Sequence, residues 1–270
     1  MRALHWGGGI LLAGLACAPA AAQDRAHRDF ATDRPDKTEN PHTVDAGMLQ
    51  LEMDVATFTS DVDRSADTLT HRLNLAPFNL KLGLDANTDV QLVFDSFLRE
   101  TVTDRTTRAK DTTRGIGDVT LRLKRNLWGN DEGATAFAVM PFVKLPTNSN
   151  GLGNGSVEFG IIAPLAIDLS ERIGLTLMTE VDMVEQDDGS GLTPSFIDSA
   201  SLGFELSERL GVYSEIFTEK RSDSDPWAAT VDVGTTFQLA EDLQLDAGAN
   251  IGVTDAADDV MLFLGISGRF

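Results

Sequence analysis

The sequence contains one cysteine, Cys17, and it falls in the N-terminal segment. Once that segment is removed, neither a disulfide framework nor a thiolate metal site is available. Histidine is almost as scarce, with His27, His42 and His71 alone beyond that segment. Aromatic residues make up 7% of the chain, with one Tyr and three Trp. Positive charge is in deficit, 22 Lys and Arg against 42 Asp and Glu, for a net charge of −20. Such a chain repels phosphate backbones, so nucleic acid is not an expected partner. No stretch after the N-terminus approaches the roughly 20 apolar residues of a membrane helix. Any membrane insertion must therefore use strands.

The first residues point to export. Arg2 precedes an uncharged apolar run, Trp6 to Ala16, and Ala20-Ala21-Ala22 supplies small residues before Gln23. This is the pattern of a secretory signal peptide over residues 1–22, cleaved near Ala22. Cys17 invites a lipid-anchor reading, but Gly14-Leu15-Ala16 is a poor match to that signal. Residues 23–45 form a polar, proline-containing arm without periodicity.

From residue 46 to residue 270 the chain alternates with a period of two, the signature of strands with one polar and one apolar face. Leu49, Leu51, Met53 and Val55 alternate with Gln50, Glu52 and Asp54, and Val119, Leu121 and Leu123 with Asp118, Thr120, Arg122 and Lys124. Phe159, Ile161, Ala163, Leu165, Ile167 and Leu169 form the longest clean face. Twelve such runs can be marked, near 47–58, 68–83, 88–99, 115–126, 133–145, 157–169, 173–184, 195–206, 210–219, 227–239, 243–254 and 259–270. Most exceed the usual globular strand and match the roughly 9–11 tilted residues that cross a bilayer. In the second run the apolar phase changes around Ala76-Pro77, which predicts an irregularity there.

Connections after even-numbered runs are short, such as Leu169-Ser170-Glu171-Arg172 and Leu206-Ser207-Glu208-Arg209. Those after odd-numbered runs are longer, Glu100 to Arg114 and Pro146 to Ser156 most of all. Short turns on one side and long loops on the other are expected of an outer-membrane barrel. The fold class that follows is all-β, a transmembrane antiparallel up-and-down β-barrel of about twelve strands. Charges in nearly every polar phase, and a chain that stops on Phe270, place lipid outside and water inside. Phe270 is the expected insertion signal. Outer-membrane lipid, lipopolysaccharide and the barrel-assembly machinery are the expected partners.

Several stretches carry a family resemblance: Thr32-Asp33-Arg34-Pro35-Asp36-Lys37-Thr38-Glu39, Gly115-Ile116-Gly117-Asp118 leading to Trp128-Gly129, Pro141 to Thr147, Gly153 to Glu158, and Asp246 to Gly252. Together they resemble the outer-membrane barrel transporters labelled putative MetA-pathway of phenol degradation. The resemblance implies a barrel and, loosely, passage of small organic compounds.

Three functional readings compete. Some twelve-stranded barrels resemble phospholipases with a Ser–His dyad, but His71, the one histidine in a predicted strand, has no serine in its run, whereas nucleophilic catalysis needs a base within reach. Gly151-Leu152-Gly153-Asn154-Gly155 lies between two strands and reads as a loop, since a phosphate cradle must open a helix. The acidic pairs in the loops lack calcium-loop spacing, so neither metal nor cofactor is expected. The inward phase is more informative. Arg122, Lys124 and Lys144 make a basic stripe with Asp118 and Glu158 nearby, while Glu180, Asp182, Glu205, Glu215, Asp232 and Asp246 make an acidic wall. Such charges line a selective pore or pair across a filled lumen, and both readings stand. The arm, with Asp33, Arg34, Asp36, Lys37 and Glu39, suits a periplasmic tail or a plug. The expected function is a porin-like passive channel for an unspecified small solute. The alternatives are a closed structural or adhesion barrel and, less favoured, a lipid-modifying enzyme.

Overall fold

The computed structural model describes residues 27–186, 188–224 and 226–270. The expected signal peptide and its cleavage site lie outside these residues. Fifteen antiparallel strands make one sheet, which closes where β15 pairs with β1. They are β1 (Leu49–Asp63), β2 (Thr68–Leu75), β3 (Phe78–Asp85), β4 (Thr88–Phe94), β5 (Phe97–Asp104), β6 (Lys110–Gly115), β7 (Val119–Trp128) and β8 (Thr135–Leu145). The rest are β9 (Glu158–Ser170), β10 (Ile173–Glu185), β11 (Leu192–Glu205), β12 (Leu210–Arg221), β13 (Ala228–Ala240), β14 (Leu243–Gly252) and β15 (Val260–Arg269). β2 with β3, β4 with β5, and β6 with β7 are each one stave broken by a kink, so fifteen strands build a barrel of twelve staves.

The first kink lies at the expected place. Ala76 has φ +52° and Pro77 has no N–H to offer the ladder. Here β1 changes partner, pairing with β3 through Leu49–Met53 and with β2 through Ala56–Asp63. A bulge at Val55 accommodates the change on the β15 side. The kinks at 95–96 and 116–118 carry no comparable sequence mark. They continue the same offset from stave to stave, with Gly117 N donating to the Asp95 carbonyl at 2.9 Å.

The long loop expected from Glu100 to Arg114 is instead largely strand. β5 and β6 pair from Leu98↔Gly115 to Thr103↔Lys110, and only residues 105–109 turn. Thr101, Val102, Thr103, Thr112 and Thr113 favour the pleated conformation, and their polarity disguises it. Asp104 fastens the turn by accepting from Thr106 N at 3.0 Å and Thr107 N at 2.7 Å.

The distribution of burial is the reverse of a soluble protein's. The largest fully buried side chains include Lys124, Gln50, Gln91, Glu52, Glu215, Asp89 and Asp232, while Leu121, Leu123, Ile161, Val181, Ile216, Leu262 and Leu264 are exposed. Charged groups are almost never buried in globular cores unless paired, and exposed apolar patches of this extent mark a membrane or partner surface. The apolar phase therefore faces lipid. The N- and C-terminal staves are joined at the short-turn end, where Phe270 N donates to the Leu49 carbonyl at 2.7 Å and Leu49 N to the Phe270 carbonyl at 3.0 Å.

Candidate functional site

Residues 27–45 lie inside the barrel without helix or strand of their own, their polar groups meeting the inward phase of the wall. On the basic side Asp33 sits between two lysines, Oδ1 2.6 Å from Lys124 Nζ and Oδ2 2.5 Å from Lys81 Nζ. Lys81 also pairs with Glu52, whose Oε2 accepts from Asp33 N at 3.0 Å. Lys124 donates a second bond to the Asn40 carbonyl at 2.6 Å. Burial by itself would push the Asp33 carboxyl up, but the two ammonium groups hold it far below the ordinary carboxylate range. Arg122 meets Glu39 at 2.6 Å. Burial raises Glu39 to about 6 despite that guanidinium.

On the acidic side the arm presents bases. Arg34 Nη2 lies 2.6 Å from Asp246 and 2.5 Å from Asp54. Lys37 Nζ lies 3.2 Å from Asp232, 2.8 Å from the Thr230 hydroxyl and 4.5 Å from the Phe217 ring centroid. Glu215 accepts from Lys37 N at 3.0 Å, Thr38 N at 2.8 Å and the Thr38 hydroxyl at 2.5 Å. Among the described residues Asp36 has no such cation. Burial and the neighbouring Glu215 push it up to about 8. The basic stripe and the acidic wall thus do not face each other across open space: the arm stands between them, with sign opposed to each.

The remaining charges take different places. Asp118 pins the loop after β8, accepting from Asn148 N at 3.0 Å, Asn148 Nδ2 at 2.8 Å and Asn154 N at 2.7 Å. The glycine-rich segment 151–155 is thereby anchored, and Gly155 N adds a bond to Glu185 at 2.6 Å. Glu158 accepts from Glu185 N at 2.8 Å and lies 3.5 Å from Lys144. Asp182 is buried beside Glu180 on the inward face of β10, and Arg122 bears on Glu180 as well as on Glu39. Glu205 stands apart, exposed at the short-turn rim.

Some of the wall breaks the alternation. Met140, Ile162 and Met178 point inward and pack together, with Phe142, Ile197 and Phe217 against them. Ile162 follows Ile161, so both phases of β9 are apolar there, and a strict polar-in reading overlooks the cluster. Lys81, Glu52, Asp54 and Thr38 were also missed as site residues. Glu52 and Asp54 carried the signal of lying on a polar phase, whereas Lys81 lies in the run whose phase shifts. Two cavities open at the ends of the barrel, the first lined in part by the arm. One of about 740 Å³ opens at the short-turn end beside Gly129–Gly133, Gln244 and Arg269. Another of about 540 Å³ opens at the long-loop end beside Lys144, Glu158, Glu185 and Glu219.

The histidines are dispersed. His71 faces outward, its ring 5.3 Å from Phe58, and His42 Nδ1 lies 2.6 Å from Asn40 Oδ1 within the arm. Among the described residues no serine hydroxyl bonds to a histidine.

Residues 32–270 match the model of a family described as "Putative MetA-pathway of phenol degradation". No curated protein matches the chain in sequence. Among solved structures, the COG4313 outer membrane channel from Pseudomonas putida F1 superposes with a TM-score of 0.65 at 14% identity, covering 89% of this chain and 100% of that one. The translocator domain of the autotransporter NalP from Neisseria meningitidis gives 0.53 at 12% identity, over 83% and 89% of the two chains. The KdgM porin gives 0.50 at 7% identity, over 83% and 99%. At these identities the likeness is one of fold.

Proposed function

Because the chain belongs to that family, whose fold is an outer-membrane barrel, we propose that it is a passive channel for small solutes whose lumen is held shut by its own N-terminal arm. One observation carries the reading: the arm is ion-paired to both walls of the lumen and lines the cavity that opens at the short-turn end. A barrel of about eight strands is filled by its wall side chains alone, and one of twelve staves is wider. Here the arm supplies part of the filling. The channel named in the Pseudomonas putida structure supports the same reading by analogy. The inward apolar cluster of Met140, Ile162 and Met178 beside charged groups suits solutes with an organic portion, in line with the family's label.

Removing residues 27–45 takes Arg34 and Lys37 away from Asp246, Asp54 and Asp232, leaving acid in excess on the wall. Charge of one sign in a narrow low-dielectric passage selects the opposite ion. In planar bilayers the full chain should conduct little, and the shortened chain steadily, with a cation preference that falls as salt rises. Neutralising Arg122, Lys124 and Lys144 should strengthen that preference, read as reversal potential under a salt gradient. If neither form conducts, the barrel is a closed structural one.

A further inference from the structure

Acidic residues outnumber basic ones almost two to one in this chain, yet one part of the outer wall carries bases alone. On β5 and β6, Arg99 and Arg114 lie directly opposite each other, and Lys110 follows on the same face toward the hairpin tip. Leu73 pairs with Arg99, and His71 lies one row above it on β2. The acids of these strands take the other phase: Glu100 faces inward and accepts from Arg72 Nε at 2.7 Å. Among the described residues no carboxylate pairs with Arg99, Lys110 or Arg114, and all three are exposed. Two exposed arginines elsewhere on the rim are matched, Arg105 by Asp67 at 3.1 Å and Arg125 by Asp85 at 3.2 Å.

Like charges directly opposed on neighbouring strands destabilise the pairing, and an anion between them reverses the sign of that contribution. Beside the bases is a hollow of about 260 Å³, walled by Phe58, Leu73, His71, Arg99 and Lys110. One side is apolar and the other cationic. It lies at the long-loop end, which in an outer-membrane barrel is the level of the outer-leaflet headgroups.

We propose that this outer face of β2, β5 and β6 binds a phosphate-bearing glycolipid of the outer leaflet. Arg99 and Arg114 grip one phosphate by their planar donor forks. Lys110, four residues from Arg114 and so about 13 Å along the strand, takes a second acidic group. An acyl chain lies against Phe58 and Leu73. The assignment depends on which end of the barrel faces outward and not on whether the lumen conducts.

The test is native mass spectrometry of the folded protein in neutral detergent, titrated with bisphosphorylated lipid A, its dephosphorylated form, phosphatidylcholine and inorganic phosphate. The full-length protein should retain the bisphosphorylated lipid, less of it at higher salt. R99Q/K110Q/R114Q should weaken retention by roughly tenfold or more, since each base near an anionic lipid surface contributes appreciably. R105Q, which removes a paired arginine, should leave retention unchanged. If the triple variant does not fold, R99K/R114K keeps the charge but loses the fork, and it should bind in between. Equal retention by all variants, equal retention of the dephosphorylated lipid, or full displacement by inorganic phosphate would overturn the proposal. Bilayer conductance of the triple variant should match that of the unaltered protein, which separates this site from the lumen.

Discussion

The two sides of the lumen depend on the arm unequally. On the basic side Lys81 has a wall acid of its own in Glu52, and the arm's Asp33 adds a second partner that it shares with Lys124. On the acidic side the ion pairs of Asp232 and Asp246 come from Lys37 and Arg34, both on the arm. One wall is partly compensated before the arm arrives, while the other is compensated by it. Isolated buried charges are costly and paired ones tolerable. The acidic wall therefore supplies the reason for the arm to be basic, and the lysines supply the reason for it to be acidic at Asp33 and Glu39. A single segment of alternating sign satisfies both.

The sharpest way to break this balance is D33N. It removes the shared partner of two lysines that are 3% and 0% exposed at the side chain. Taking one member from a buried ionic network typically costs about 3–5 kcal/mol, read as a fall in the unfolding midpoint of the detergent-folded barrel. Both lysines should lose stability together, so K81M/D33N should recover part of the loss.

Next in size is I161R, which places a cation on the lipid face at mid-strand, where Ile161 is exposed. A midplane arginine costs about 2–4 kcal/mol in such barrels. Urea unfolding in lipid vesicles checks this, and a neutral result would mean that the outer face does not meet lipid.

The acidic side can be probed by pH. Asp36 is pushed up to about 8 by burial and by Glu215, with Ser201 opposing the shift by hydrogen bonding. A carboxyl raised above its unfolded value favours the closed arrangement while it is protonated. That contribution is complete at acid pH and is lost as pH rises through about 8. Release of the arm, followed as conductance or as protease cleavage within 27–45, should increase as pH rises from the ordinary carboxylate range to about 8 and level off above it. D36N should flatten the dependence. A loss of closure on acidification instead would show that the carboxylates pairing with Arg34 and Lys37 dominate.

The smallest effect belongs to E205A. Glu205 lies exposed at the short-turn rim, away from the arm, and its removal should change stability by less than about 0.5 kcal/mol and leave ion preference unaltered. A larger change in reversal potential would return it to the pore wall.

The period-two pattern determined the twelve staves and the kink at Ala76-Pro77, and with the connection lengths, the charges of the polar phase and the terminal Phe270 it determined the barrel and its lipid-facing phase. The physical reason is that side-chain direction in a strand is fixed by parity, so the solvent preference of each face is written locally. It also placed Arg122, Lys124, Glu215, Asp232 and Asp246 on one surface. It misread the segment from Glu100 to Arg114, because threonine-rich strand and polar loop have the same composition. It also passed over Lys81 and the Met140–Ile162–Met178 cluster, where the phase shifts or both phases are apolar. What only the tertiary structure decided was the partner of each charge. Asp33 meets Lys124 across 91 positions and Arg34 meets Asp246 across 212. Such long-range pairings depend on barrel closure, on the register of staves far apart in sequence and on where an aperiodic arm comes to rest. None of these is written in any local pattern of residues.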